Sequence, residues 1–501
     1  MRTKNSLLTN SLCRGFVFFL STAFLFVLYI RLRLIFVYYP DIGGVESNII
    51  YSIQRFLSGM ALFEDPEHAP FAITQYSPLY YRLLGFIGQA FVINPDDPME
   101  VYRISRSLAL VTNLIYMFMI FKIGRLFNLS FLKSMCVALM AFVLLPPQLY
   151  SRPDSVSTLL TVSVVYFMVF YINGATVKTK RLYLLLIVLL VSLAVTAKQS
   201  AIVLPAIVCS YILFFEKKIV KAFAVGLSMG ALTVLLLFVI MPEHDLSLLY
   251  VNNVIGVKQG LDWGSYATNI FLYYFRTYAL INAIGIFCSV WLISSEDKQN
   301  KWLGWFAISF FLFACLTSLK QGSALNYFNE FVSLSPIMGL VFLSKVDMKI
   351  PRQISALLLV VIGFWITAPN MINFTWKYAF ADNSVFKESY IEQQRIRDYL
   401  KNDLGMSSSD RVFVTLHNYC FLNGLLYKNC ILPQQEMVMV MYPKGDIDYG
   451  NLDREAQDGE VRFVVTQSGE NRIKFPEKLA LEKYEFKKAF NGFDVYELKK
   501  I

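Results

Sequence analysis

Charge is scarce in this chain. Asp, Glu, Lys and Arg make up only 16% of the residues against 56% hydrophobic, and mean hydropathy is +0.49; this excludes an ordinary soluble domain and points to a polytopic membrane protein. Histidine is rarer still, and His68 and His244 are too scattered to make a metal site. The seven cysteines form no CxxC and no Cys/His pattern, so zinc or dithiol chemistry has no framework. Cys136, Cys209, Cys288 and Cys315 lie in apolar runs, where a thiol is a small hydrophobe. No internal repeat or low-complexity tract is present, which argues against a transporter built from paired halves. Nothing in the chain requires a cofactor; a need for a divalent metal stays open. The net charge of +10 would suit nucleic acid, but Lys and Arg sit in short clusters between apolar runs, a pattern that reports membrane topology and not nucleic-acid binding.

What the chain does have is long apolar runs. Arg2, Lys4 and Arg14 precede the first, Phe16 to Tyr38. It is too long for a signal peptide and lacks a small-residue cleavage site, so it reads as an uncleaved span with a cytoplasmic N-terminus, leaving Asp41 outside. Arg31 and Arg33 are expected to snorkel to the outer interface or pair there. Pro78 to Ile93 is short and carries Arg82, so it is expected to lie in the interface. Ten further runs follow, at 105–127, 131–149, 156–172, 183–196, 200–215, 223–241, 269–293, 302–319, 328–343 and 354–372, for about eleven spans in all. Basic clusters at 178–181, 217–221, 298–301 and 345–352 then fall on the cytoplasmic side. The expected division is a transmembrane domain over 1–372, including a first outer loop at 38–104, and an extracytoplasmic α/β domain over 373–501. In the latter, 389–400 reads as a helix, 412–416 and 461–465 as strands, and 484–498 as a hairpin turning at Asn491-Gly492. Cys420 and Cys430 would share that compartment, either as a disulfide or as two thiols.

The polar residues that are not topology signals gather on one side. Asp41, Glu46, Arg152, Asp154, Lys198, His244 and Lys320 all fall outside. Lys198 sits in the tight turn TAKQS, and Arg152 with Asp154 in LYSRPDS; charges at the edge of hydrocarbon are costly unless they meet a partner or an anionic ligand. An interfacial carboxylate can take a proton from an acceptor hydroxyl, while cations stabilise charge growing on a leaving phosphate. Each residue also has a plainer reading. Asp41 suits a turn or helix cap, Glu46 a helix N-terminus, and Asp154 a cap after Pro153, with Arg152 its neighbour in a local pair. Lys198 and Lys320 would otherwise snorkel. Arg103 and Arg106 open an inward span, where they would touch lipid phosphates of any kind. Tyr76, Tyr80 and Tyr81 read as an interfacial belt before a sugar-stacking surface.

In order, Asp41 and Glu46, Asp65-Pro66, the YSPLYY of 76–81, the RPD of 152–154, the KQS of 198–200 and the GSALNYFNE of 322–330 resemble the GT-C glycosyltransferases. That superfamily includes protein O-mannosyltransferases and lipid A aminoarabinose transferases, which use polyprenyl-phosphate sugars. The resemblance implies an all-α GT-C membrane fold with a small outer domain. It also implies inverting transfer from a polyprenyl-phosphate donor to an acceptor hydroxyl of the cell envelope, on the outer face of a bacterial inner membrane. Asp41 or Glu46 would be the base, Asp41 matching the first-loop acid by position; Lys198, Arg152 and Lys320 would bind the donor phosphate. Asp154, Arg103, Tyr80, Tyr81, Asn326 and Tyr327 would support them. Many relatives carry adjacent acids in this loop, whereas here the second carboxylate stands five positions on. The rival readings are a lipid-linked sugar flippase or transporter, and an oligosaccharide polymerase or ligase.

Overall fold

The computed structural model describes residues 2–42, 44, 46–145, 150–241, 243–322, 325–346, 350–415, 421–470 and 472–499. Helix α1 (Arg2–Phe36) leads into the first loop, which carries α2 (Glu46–Leu57) and α3 (Pro78–Ala90). Then come α4 (Pro98–Leu126), α5 (Phe131–Val143), α6 (Asp154–Asn173), α7 (Val177–Ala197), α8 (Val203–Phe214) and α9 (Ile219–Ile240). A longer loop holds α10 (Leu246–Tyr250) and α11 (Trp263–Ser265), each followed by π-helical turns, and α12 (Ala279–Ile293), α13 (Lys298–Thr317), α14 (Asn329–Lys345) and α15 (Ile350–Ala379) complete the bundle. α15 runs unbroken through residues 372 and 373. The C-terminal part, outer to the helix bundle, contains α16 (Asn383–Asn402), β1 (Arg411–Val414), α17 (Leu422–Leu425), α18 (Gln435–Met441), α19 (Gly450–Asp458), β2 (Val461–Gln467), β3 (Tyr484–Phe490) and β4 (Phe493–Leu498).

The chain is a polytopic helical membrane protein. Among the described residues, seven helices are long and apolar enough to cross a bilayer: α1 from Arg14, α4, α6, α7, α9, α13, and α14 with the short turn at 325–328 leading into it. The run at 269–293 is not the single straight span that hydropathy suggested. Trp263–Phe275 and Ala279–Ser294 meet at 83° and would make an eighth crossing. Broken backbone at this depth persists only where its polar groups are paired, and here the Thr277 carbonyl accepts Thr367 Oγ1 of α15 at 3.0 Å. α5 and the stretch Gln199–Phe214 are apolar but shorter, so length and composition qualify fewer crossings among the described residues than the eleven or so expected. α3, with 13 residues, is roughly 20 Å long and is not among the helices that qualify.

Arg31 does not snorkel. It is buried, donates to the carbonyls of Phe142 at 3.3 Å and Leu145 at 3.1 Å, and lies over the Phe142 ring. The C-terminus of α5 leaves orphan carbonyls inside the bundle, and a guanidinium satisfies them better than water it cannot reach. Arg33 instead donates to Ala379 O of α15 at 2.7 Å.

The outer part carries one four-stranded sheet in the order β1-β2-β4-β3, parallel only between β1 and β2. The hairpin turns at Asn491-Gly492 as its sequence suggests, Gly492 taking φ +86°, which a side chain would resist. Cys420 lies outside the described residues, and with it the question of its pairing with Cys430.

The first loop is wedged between bundle and outer part. Phe71 and Ile73 enter the hydrophobic cluster of α18 and α19. Phe71 N–H donates to Ile431 O at 2.8 Å, Ile73 N–H to Gln434 Oε1 at 2.7 Å, and Gln434 Nε2 to Asn48 O at 3.2 Å. Asn252 and Asn253, in the loop after α9, clasp Thr74 from the other side through its N–H (2.8 Å) and its C=O (2.9 Å).

Candidate active site

α2 is the element that sets the site. Asp41 Oδ1 accepts the Glu46 N–H at 3.1 Å and Oδ2 accepts Ser47 Oγ at 3.4 Å, so the aspartate does cap the helix start, as its local sequence suggests. These bonds leave Asp41 with acceptor capacity to spare, and it is partly exposed. Burial, then the neighbouring Glu46 carboxylate, with Glu436 of α18 adding to them, raises its carboxyl to about 6. Such a group is ionised near neutrality and still basic enough to take a proton.

Glu46 has the opposite character. It is fully buried against Arg106, whose guanidinium meets both carboxylate oxygens at 3.2 and 2.9 Å. Its oxygens also accept the Ile42 N–H at 2.9 Å and the Ser151 N–H at 2.7 Å. Arg106 spends its remaining donors on the carbonyls of Leu34, Val37 and Tyr39. The expectation that Arg106 reaches lipid phosphates is therefore corrected: it is an interior clamp joining the end of α1, the first loop and the 150–154 segment. One signal pointed there, an arginine facing a glutamate across the same outer rim.

The Ser151 contact carries the first loop to the cations. Next in sequence, Arg152 donates to Tyr76 OH at 3.2 Å and Tyr150 OH at 3.4 Å, and its Nε stands 3.7 Å from Asp154 Oδ2. Asp154 is the first residue of α6, yet its side chain caps nothing there. It accepts Lys198 Nζ at 2.7 Å and Asn326 Nδ2 at 2.5 Å. Lys198 also stands 5.0 Å over the Tyr327 ring. Burial pulls its ammonium down, but Asp154, with Tyr327 and Tyr76, outweighs that and pushes it up to about 12, so it is cationic at any working pH.

Arg152, Asp154, Lys198, Asn326 and Tyr327 thus form one cluster, tied to Asp41 and Glu46 through Ser151. Asp154, Lys198, Asn326 and Tyr327 line a cleft that also contains Glu330, which accepts Thr158 Oγ1 at 2.8 Å. Glu330 stood in the GSALNYFNE motif but was not singled out as a site residue. Lys320 is held beside the cluster by a β-bridge to Leu261; burial lowers its ammonium, and Lys198 and Lys444 lower it further. Three expected residues stand apart. Arg103 donates to Tyr38 OH at 3.3 Å. Tyr80 and Tyr81 form no exposed belt or sugar platform: both are fully buried in the core under α2, Tyr80 OH meeting Ser105 Oγ at 2.8 Å. A helix lying flat on a bundle buries its aromatic face in protein instead of headgroups. Among the described residues no three His, Cys, Asp or Glu side chains gather as for a metal ion, and the His244 ring pairs through Nδ1 with the Phe238 carbonyl at 2.7 Å.

No family model and no curated protein sequence matches the chain, whereas its fold does have solved counterparts. ArnT from Cupriavidus metallidurans bound to undecaprenyl phosphate aligns with a TM-score of 0.61 at 13% identity, over 95% of this chain and 97% of ArnT. The apo state of ArnT gives 0.61 at 13% identity over 94% and 97%. The Archaeoglobus fulgidus oligosaccharyltransferase in complex with zinc and sulfate gives 0.57 at 12% identity, over 95% of this chain and 73% of that one. Over about 95% of its length this chain therefore shares the fold of ArnT and of this oligosaccharyltransferase.

Proposed function

We propose that this protein is an inverting glycosyltransferase that moves a sugar from a polyprenyl-phosphate donor to an acceptor hydroxyl on the outer face of a bacterial inner membrane. In this reading the N-terminus is cytoplasmic, residues 1–372 hold the donor, and 373–501 form an extracytoplasmic domain over the first loop. Asp41 is the base. The acceptor oxygen attacks the anomeric carbon, its proton passes to Asp41, and the bond from that carbon to the phosphate oxygen breaks on the opposite face. The phosphate keeps the electron pair, and Lys198, Arg152 and Lys320 stabilise the charge it gains. Glu46 is too fully engaged to serve as base; it holds the loop.

The observation that carries this reading is the continuity between a partly exposed carboxylate raised to about 6 and a cation cluster, through one hydrogen bond from Ser151 N–H to Glu46. The structural likeness to ArnT, solved with undecaprenyl phosphate bound, supports a lipid-phosphate donor.

The test is transfer from a labelled polyprenyl-phosphate sugar by the purified protein in lipid bilayers. Asp41→Asn should fold normally and lose on the order of 10²–10⁴-fold in kcat. Undiminished transfer by that variant, or donor crossing the bilayer without bond cleavage in the wild type, would sink the proposal.

A further inference from the structure

Two lysines near the proposed donor site have no counter-ion among the described residues. Among the described residues, neither Lys320 nor Lys444 has a carboxylate within ion-pair distance, although Lys444 belongs to the outer part and Lys320 to the bundle. The nearby carboxylates are engaged elsewhere. Asp446 holds Lys258 at 3.1 Å, Asp262 accepts Ser265 N–H and Oγ at 2.9 and 2.6 Å, and Asp448 accepts Gly450 N–H at 2.8 Å.

Backbone ties together the segments that carry the two lysines. Lys444 Nζ donates to the carbonyls of Lys258, at 3.3 Å, and Gln259. The next residues of that loop are zipped to the Lys320 segment: Gln321 N–H donates to Gly260 O at 2.9 Å, Leu261 bridges Lys320, and Asp262 N–H donates to Leu319 O at 3.0 Å. Gly322 closes the Lys320 segment at φ +77°, a conformation that a side chain would resist. Two carbonyls occupy two of the three donors on Lys444 and leave one for a ligand. Like charges assembled this way, without a carboxylate between them, describe an anion site.

We propose that Lys444, carried by the outer part, joins Lys320 in binding the phosphate as it leaves, a role that rests on the glycosyltransferase reading above. A sugar-linked phosphodiester carries one negative charge. Once the bond to the anomeric carbon breaks, the resulting phosphomonoester carries about −1.5 to −2 at neutral pH. A cation additional to Lys198, Arg152 and Lys320 therefore favours the broken-bond state over the donor, which is the differential binding that accelerates the chemical step.

The experiment compares donor KM, kcat and product inhibition by polyprenyl phosphate for the full chain in nanodiscs of uncharged lipid. Lys444→Ala should lower kcat and weaken polyprenyl-phosphate inhibition by on the order of 10–100-fold, with donor KM moving about 3-fold or less; Lys444→Arg should recover most of the loss. Asp446→Ala removes the Lys258 pair and spares Lys444, so it should change none of these. Equal losses in Lys444→Ala and Asp446→Ala would make Lys444 a domain staple and overturn the proposal, as would equal weakening of donor and product. Inorganic phosphate and anionic-lipid nanodiscs serve as competing probes; if either competes with polyprenyl phosphate in the wild type but not in Lys444→Ala, at concentrations matching polyprenyl phosphate itself, the site is for free phosphate or headgroups and the proposal fails. Should Lys320→Ala weaken polyprenyl-phosphate binding while Lys444→Ala does not, the Lys444 assignment alone falls. A wild type that ignores polyprenyl phosphate takes the glycosyltransferase reading with it.

Discussion

Two charged clusters share one end of the bundle, and they are built on opposite terms. Around Glu46 every oxygen and nearly every guanidinium donor is engaged: one carboxylate, one guanidinium, two backbone N–H groups and three carbonyls, all shut away from solvent. Around Asp154 the balance is left open. One carboxylate serves two cations, Lys320 stands close by with no carboxylate, and Asp154 Oδ2, Asn326 Oδ1 and Arg152 Nε are buried without a hydrogen-bond partner among the described residues. Unmet buried polar groups are costly in a resting protein and useful where a ligand is to meet them. The closed cluster is architecture, and under the proposed function the open one receives the donor phosphate. A carboxylate's partners, more than its place in the sequence, separate the two.

The largest effect should come from breaking the closed cluster. Arg106→Ala leaves a buried carboxylate without its cation, which typically costs about 3–5 kcal/mol. The expected outcome is loss of folded, monodisperse protein in detergent, read by size-exclusion chromatography and thermal unfolding. Arg152→Ala, in the open cluster, should stay folded, because Lys198 still compensates Asp154. If Arg106→Ala is as stable as Arg152→Ala, the contrast between the clusters is wrong.

Most of the architecture was legible in hydropathy. The runs that became α4, α6, α7 and α9, the strands at 411–414 and 461–467, and the Asn491-Gly492 hairpin follow from apolar period and turn chemistry that any window of sequence carries. What escaped was pairing across distance. Arg106 and Glu46 are separated by 60 positions, and nothing local marks them as partners. Asp154 read most simply as a helix cap because Pro153 precedes it, whereas its side chain turns to Lys198, 44 positions on. Tyr80 and Tyr81 looked interfacial because composition cannot tell a headgroup layer from a protein surface. The 83° break before α12 was invisible for the same reason: the hydropathy of the run does not register that α15 supplies a partner for the freed carbonyl.

A smaller effect separates cations within the open cluster. Lys320→Ala removes an ammonium that has no carboxylate partner among the described residues, so it strands no buried charge there and stability should hold. Its loss should appear in donor binding, by on the order of 10-fold, and shrink as salt rises. Lys198→Ala, which leaves buried Asp154 with only the more distant Arg152 at 3.7 Å, should reduce both stability and binding. Similar thermal unfolding of the two variants would blur the distinction between an engaged cation and a waiting one.

The smallest effect tests whether the open side extends to Asp41 itself. A base acts in its ionised form, and burial first, then Glu46, raises the Asp41 carboxyl from near 4 to about 6. Activity should therefore rise with pH through about 6 and level off above it, the acid limb lying higher than an exposed aspartate would put it. Glu436 faces Asp41 from the outer part and contributes to the rise. Removing that negative charge by Glu436→Gln eases ionisation of Asp41, so the limb should move to lower pH, by roughly a few tenths of a unit given a partly solvated pair. Gln is isosteric, and Glu436 is exposed with no ion pair among the described residues, so kcat on the plateau should stay within about 2-fold. A limb that shifts upward, or one that lies near 4 in the wild type, would mean that Asp41 is as solvated as any surface carboxylate and that the open side stops short of it.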